Sequence, residues 1–492
     1  MAASGGGTSE PVRNQRLTDE EFFKIRREEV LPQWETGKDI ENLDENIEIA
    51  KELSQGKNHA EKLAEAKREG KQILIPQFGR ALTEYTTEGM QYVERESALA
   101  PDGIWHIHPD SYTRKNRYDK AAEGIARSRA EGMSMLNGWP VVNFGVHEAR
   151  KIIQATSLPI NFNSTDEDGR LATEIVYAAG WTSGSVESLQ ECIAHSKDCP
   201  LEDEIRMTQY EARLAGYYTE HGVPICPWQA ANLTGYDIAG YRCFIVVSEA
   251  LLAAEQGVKY QFIEHGLMMN MTQDIAMIRV SERLCYEYAK RFGYEDVEFF
   301  TGAYSFLGAW PPREEEADAM IAWNATIGIL GGFPGLILKC RDEAFATPTK
   351  EGMAGSVRLA RQLLTIMGNQ RLAPNEQLQL EEAMLEMEVR ALMEKCLEAG
   401  DGDIAVGMCA GVEAGWIDTM ITPWKYNHGK VLSVRDAEGA VRYLETGDVP
   451  IPKEVRDYHR EKIAEREKRE GRKADLQMVV EDFTIASVLP KP

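Results

Sequence analysis

Two histidines one residue apart, His106 and His108, lie in a short apolar run at residues 104–108. Side chains two apart on a strand face the same way, so the pair can present two imidazoles to a metal ion. A metal hydrolase would add a carboxylate or carbamylated lysine and further histidines from among His147, His195, His221 and His265. No HExxH accompanies them, and two buried structural histidines satisfy the same pattern. Lys339 closes a second apolar run, and Glu343 follows four residues later. On a helical turn these two share a face, where they can grip neighbouring hydroxyls or simply pair with each other. Arg114 stands in the polar turn Tyr112-Thr113-Arg114-Lys115-Asn116-Arg117-Tyr118-Asp119. A guanidinium there can clamp a carboxylate or phosphate through two parallel hydrogen bonds, or remain solvated.

These residues need a scaffold, and the rhythm of the chain supplies one. Short apolar runs at 72–76, 104–108, 141–144, 159–162, 175–179, 223–226, 260–263, 297–300 and 336–338 read as strands. Amphipathic stretches between them, such as 118–131, 148–155, 206–221 and 274–291, read as helices. Strand–helix alternation over this length predicts a parallel sheet covered by helices, closed as a (β/α)8 TIM barrel. No GxGxxG follows the first strand, so a dinucleotide-binding sheet has no support. Residues 1–16 are expected to be a disordered tail, 17–58 an N-terminal helical arm, 59–370 the barrel, and 371–492 a C-terminal α+β extension. In a barrel, chemistry sits at the C-terminal ends of the strands. That places residues 77–80, 108–114, 145–147, 163–164, 181–183, 227–229, 264–266, 301–310 and 339–343 at the site.

With 79 acidic and 55 basic residues, the 492-residue chain carries a net charge of −24. That balance argues against nucleic acid or an anionic membrane as partner. Residues 320–338 form the longest uncharged run, but Asn324, Gly331, Gly332 and Pro334 divide it into a helix, a turn and a strand. The first fifteen residues have no apolar core, and the eight cysteines form no CxxC pair, so a reducing cytoplasm is expected.

Several longer strings resemble the large (epsilon) subunit of glutamate mutase, also called methylaspartate mutase. They include Ser111 to Asp119, Leu136-Asn137-Gly138-Trp139-Pro140-Val141-Val142-Asn143-Phe144-Gly145-Val146 and Ala179-Gly180-Trp181-Thr182-Ser183. Glu249 to Lys259, Pro348-Thr349-Lys350-Glu351 and the tail from Lys425 to Pro450 extend the likeness over nearly the whole chain. The resemblance implies a TIM barrel and an isomerase that performs a radical 1,2-rearrangement with adenosylcobalamin. It also implies a small corrin-binding subunit carrying Asp-x-His-x-x-Gly, with two copies of the present chain in a heterotetramer. That motif is not met here, since Asp457-Tyr458-His459-Arg460-Glu461-Lys462 has Lys where Gly belongs. No metal held by this chain is expected.

Carried over position by position, the resemblance puts cofactor contacts at Gly79, Asn137, Trp310, Lys339, Glu343 and Thr347. It puts the substrate at Arg114, Gln77, Asn163, Ser164, Ser185, Glu191, His195 and Trp228, with Arg114, Glu191 and His195 in catalytic roles. Here the chain departs from the family. Of three arginines that hold glutamate's two carboxylates, one is kept as Arg114, while the others fall on Gln77 and Asn163. The cofactor half is retained and the glutamate half rewritten, so a carboxylate other than glutamate is expected. Two other readings are interconversion of glutamate and 3-methylaspartate, with Arg80 or Arg341 supplying the missing charge, and the metal hydrolase built on His106 and His108.

Overall fold

Apolar runs bounded by glycine and proline become the staves of one parallel sheet. The computed structural model describes residues 11–163, 167–231, 234–345 and 347–483. Its main strands are β1 (Ile73–Phe78), β2 (Trp105–Ile107), β3 (Ile160–Phe162), β4 (Trp228–Ala231), β5 (Tyr260–Gly266), β6 (Glu298–Tyr304) and β7 (Gly335–Leu338). They pair in parallel in the order β3-β2-β1-β7-β6-β5-β4.

Residues 182–186 fill the space between the two outer strands. Phe162 N donates to Ser183 O at 3.3 Å, Trp228 N to Gly184 O at 2.7 Å, and Val186 N to Trp228 O at 3.1 Å. This segment is the eighth stave, and it closes the TIM barrel.

Alternation along the staves sorts the side chains. Ile75, Trp228, Phe262, Phe300 and Ile337 pack together inside the barrel, joined by Ala60, Leu63 and Ala66 of the helix His59–Glu69. That helix plugs the N-terminal end. His59 N donates to Thr182 Oγ1 at 2.8 Å, and Lys67 Nζ donates to Phe299 O at 2.7 Å. Access is thereby left to the C-terminal end.

Three expected strands are corrected. Residues 141–144 form a first helical turn of the stretch Val141–Gln154, which breaks at Gly145 and resumes with an apolar face of Val146, Ala149, Ile152 and Ile153. Its Gly145 has φ 69° and, with Thr36 against it, leaves no room for a side chain. Residues 175–179 continue the helix Arg170–Ala178, because Leu171, Ala172, Ile175 and Val176 repeat at helical spacing. Residues 223–226 precede β4, which starts after Pro227, a residue with no N–H to donate.

The helix Asp19–Ile25 starts at Thr18, which forms a capping box with Glu21. Buried Arg26 ties the N-terminal arm to Glu174 at 2.9 Å. Residues 11–16, expected within the tail, lie against the barrel helix Leu201–Glu220 and the C-terminal extension: Val12 is buried, with its N donating to Glu202 at 3.1 Å, and Asn14 N donates to Asp403 at 3.1 Å. Beyond the barrel come the helices Glu376–Ala399 and Ile404–Glu413, the antiparallel hairpin β8 (Val431–Arg435) and β9 (Val441–Thr446), and the helix Lys453–Glu470. Buried Arg442 pairs with Glu381 at 2.7 Å and Asp436 at 2.8 Å, fastening the hairpin to the long helix.

Candidate active site

A cavity of about 260 Å³ opens at the C-terminal end of the staves. β1 contributes Gln77, whose amide oxygen accepts from the Tyr304 hydroxyl of β6 at 2.8 Å. β2 contributes His106 and His108, and the structure gives the two imidazoles different partners. His106 Nδ1 meets Asn161 Nδ2 at 2.9 Å, and its ring lies 4.8 Å from that of Trp228. His108 Nε2 donates to Asn137 O at 2.8 Å, leaving Nδ1 buried and unpartnered. Burial, reinforced by Arg114, pushes His108 down to about 3, so it stands in the cavity as a neutral imidazole. Burial holds His106 well below its usual range. Among the described residues, no group of three His, Cys, Asp or Glu side chains is arranged to hold a metal ion.

Arg114 lies in the short 3₁₀ turn Thr113–Lys115 just past β2. Asp110 fixes the turn: its carboxylate accepts from Tyr112 N at 2.9 Å, Thr113 N at 3.3 Å and Thr113 Oγ1 at 2.5 Å. The Arg114 guanidinium reaches the cavity with Nε buried and unpartnered, and it makes no ion pair among the described residues. The two arginines named as replacements for the missing pair are placed elsewhere. Arg341 pairs with Glu314 and with Asp318. Arg80 lies over the Phe78 ring, 5.8 Å from its centre, and does not line the cavity.

Most of the expected cofactor residues lie on the wall or rim of the same cavity. Lys339, one residue past β7, pairs with Glu343, and its ammonium is 6.0 Å from the centre of the Trp310 ring. Trp310 is buried, with Nε1 donating to Phe306 O at 2.9 Å. Asn137 lines the cavity while its amide oxygen accepts from Ser111 N at 3.0 Å and Ser111 Oγ at 2.9 Å. At Gly79 an added Cβ would come within 3.0 Å of His108 O, so glycine keeps the rim tight. Thr347 adjoins Pro348, a lining residue.

The expected substrate residues divide. Arg114, Gln77, Asn163 and His195 line the cavity. Glu191 is buried behind His195 and meets its Nδ1 at 3.1 Å. Ser185 is buried in the eighth stave with its hydroxyl unpartnered, and Trp228 packs beneath, against Phe262. Ser164 lies outside the described residues.

Sequence reasoning missed Glu187 and Gln190 in the lining, and it had Tyr304 only as part of the 301–310 stretch. Glu187 is buried with neither carboxyl oxygen hydrogen-bonded. Burial and the nearby carboxyls of Glu249 and Glu191 push it well above the usual carboxylate range. The signal was positional: Glu187 directly follows the 182–186 stave, whose Thr-Ser-Gly-Ser-Val composition has no apolar run to mark it.

A parallel barrel plugged at one end, with an unpaired arginine and a lysine–glutamate pair facing one polar cavity, has the architecture of a barrel enzyme with its site at the C-terminal end of the staves. The family model described as methylaspartate mutase E chain (MutE) matches residues 53–489. Proteins named glutamate mutase epsilon subunit match over almost their whole length. That of Escherichia coli O157:H7 is 38% identical, covering 97% of this chain and 98% of its own. That of Desulfitobacterium hafniense is 38% identical, covering 95% and 96%. That of Haloarcula marismortui is 32% identical, covering 96% and 95%. The chain belongs to the methylaspartate mutase E chain family, and it is an isomerase of the mutase class.

Proposed function

We propose that the protein is the large subunit of an adenosylcobalamin-dependent carbon-skeleton mutase whose substrate is a carboxylate other than glutamate. It works in the cytoplasm, as a homodimer within a heterotetramer, with a separate small subunit that carries the corrin on an Asp-x-His-x-x-Gly motif. The donor set at the rim fits the adenosyl part of this cofactor. Lys339 and Glu343 offer a cation and a carboxylate to the ribose hydroxyls, Trp310 an aromatic face, and Asn137, Gly79 and Thr347 the surrounding rim. When bound, the cofactor supplies the hydrogen abstraction that begins the rearrangement. The chain's own part is to bind, orient and keep dry. The plugged barrel floor excludes water from below, and Arg114 holds the carboxylate in one pose.

The observation that carries the substrate reading is the lone unpaired guanidinium of Arg114 facing the neutral amides of Gln77 and Asn163. A second carboxylate in this cavity would lack its own cation, a penalty of several kcal/mol in a site removed from water. Identity of 38% over nearly the full length to proteins named glutamate mutase epsilon subunit favours the second reading, glutamate to 3-methylaspartate. Reconstitution with a small corrin-binding subunit and adenosylcobalamin separates the two. Turnover of a monocarboxylate and none of L-glutamate is expected, and efficient interconversion of L-glutamate and 3-methylaspartate would overturn the proposal.

A further inference from the structure

The proposed function leaves one of the paired histidines unexplained. His106 gives its Nδ1 to the Asn161 amide and its ring to Trp228. His108, one residue past β2, is 7% exposed and lines the cavity, and its Nδ1 has no partner. A single neighbour fixes its chemistry. A carbonyl oxygen only accepts, so the 2.8 Å bond to Asn137 O puts the imidazole proton on Nε2. Burial keeps the ring neutral, so Nδ1 carries a lone pair and no hydrogen. A buried acceptor without a donor is unfavourable, and a ligand that supplies the donor relieves it.

The complementary group stands on the adjoining strand. Gln77 of β1 is in register with His106, and its Oε1 is taken by the Tyr304 hydroxyl at 2.8 Å. Its NH2 is the end left for a ligand. One cavity thus offers an acceptor from His108 and a donor from Gln77, both neutral. The surrounding charges limit what can fill them. Arg114 and Lys339 are the cations that act on the His108 ring, and Lys339 is paired with Glu343. An ammonium brought to Nδ1 would be repelled by both cations. A carboxylate would set its own lone pairs against that of Nδ1. A neutral group with a hydrogen to give and an oxygen to receive meets neither obstacle.

We infer that His108 is a specificity residue, and that its Nδ1 and the Gln77 amide together receive a hydroxyl or a primary carboxamide on a substrate whose carboxylate is held by Arg114. The inference rests on the cavity being the substrate site, as proposed above, and it names the end of the substrate that Arg114 does not hold. It also gives the cavity a means of refusing a second carboxylate, because an ionised carboxylate has no hydrogen for Nδ1.

The test is calorimetric titration of the reconstituted two-subunit complex with acids that differ at the far end. Glutaramate ends in a carboxamide and 5-hydroxypentanoate in a hydroxyl. The near-isosteric 5-oxohexanoate ends in a methyl ketone, which accepts but cannot donate, and glutarate ends in a second carboxylate. The wild type should bind glutaramate or 5-hydroxypentanoate at least about tenfold more tightly than 5-oxohexanoate and glutarate, and the tighter of the two identifies the group. His108→Gln keeps an N–H for the Asn137 carbonyl but has no acceptor at the place of Nδ1, so it should bring that ligand down to the affinity of 5-oxohexanoate. His108→Asn, which can put an amide oxygen near that place, should keep part of the preference. A wild type that binds none of the four, or binds 5-oxohexanoate as tightly as the two donors, would overturn the inference. So would a His108→Gln variant that keeps the preference, or one that loses adenosylcobalamin and not the preference, which would give His108 to the cofactor. Arg114→Ala separates this inference from the reading beneath it. Loss of every ligand supports the site, even where the wild type fails to discriminate among them, whereas unchanged binding of all would overturn the site assignment itself.

Discussion

The Tyr304 hydroxyl on β6 donates to the Gln77 amide oxygen on β1 at 2.8 Å, across the barrel mouth. The bond uses the acceptor end of Gln77 and leaves its NH2 as the donor for a ligand. Tyr304 is buried at this spot, which holds the pair in place. Tyr304→Phe removes this orientation and little else. The expected result is a rise in KM of about fivefold, the worth of one neutral hydrogen bond, with melting temperature almost unchanged. Steady-state kinetics beside a thermal melt would check it, and an unaltered KM would mean that Gln77 does not touch substrate.

Arg114 should tolerate no replacement. Lysine keeps the charge but loses the planar fork and shortens the reach to a carboxylate. We expect Arg114→Lys to lower kcat/KM by at least about tenfold, and Arg114→Ala by about a hundredfold or more. Asp110 holds the turn through three hydrogen bonds to Tyr112 and Thr113, so Asp110→Ala should reproduce part of this loss by letting the arginine drift. Equal activity of the lysine variant and the wild type would remove the bidentate role.

Lys339 and Glu343 should matter for turnover more than for folding. Lys339 is buried and Glu343 half-buried, but both line the cavity, where water can take the place of a deleted partner, so the loss of stability should be small. Lys339→Ala and Glu343→Ala should therefore melt within a few degrees of the wild type. Exchange of label between substrate and the adenosyl hydrogens should fall sharply in both. Unchanged exchange in both variants would take the pair out of the cofactor site.

The barrel was legible in the sequence where staves are apolar, as at β1, β5 and β7. It was hidden where a stave faces inward with small polar groups. Residues 182–186 bury Ser183 and Ser185, so no hydrophobic run announces the segment, and Glu187 at its end was overlooked with it. The apolar runs at 141–144 and 175–179 misled for the opposite reason. Both are short apolar pieces of helices, and over four or five residues an apolar run does not tell helix from strand; the helical spacing shows only when the flanking residues are included. Arg114, Lys339 and Glu343 were legible at the barrel mouth by position, since Lys339 directly follows β7 and the other two lie in the turns after β2 and β7. The partner of each histidine was not, because the Asn137 carbonyl and the Asn161 amide reach His108 and His106 from distant loops and strands.

Glu388 gives a prediction about pH. It is buried in the helix Glu376–Ala399, with Oε1 accepting from the Tyr443 hydroxyl at 3.0 Å and Oε2 unpartnered. Burial pushes it up to about 8, with the Tyr443 hydrogen bond opposing and Glu381 assisting. An unfolded glutamate titrates near 4.5. Below that value both states hold the proton, and Glu388 adds no pH dependence. Between 4.5 and about 8 the native state keeps a proton that the unfolded chain releases, so this group's contribution to stability falls as pH rises. Above about 8 both states are ionised and the penalty levels off. Glu388→Gln keeps the shape and the Tyr443 contact but cannot ionise. Gly240 packs directly against this side chain, so an isosteric replacement is the one to use. The variant should melt higher than the wild type by a margin that is small at pH 5 and larger at pH 8.5. A melting series across that range would read the difference directly, and a margin independent of pH would show that Glu388 is ionised throughout.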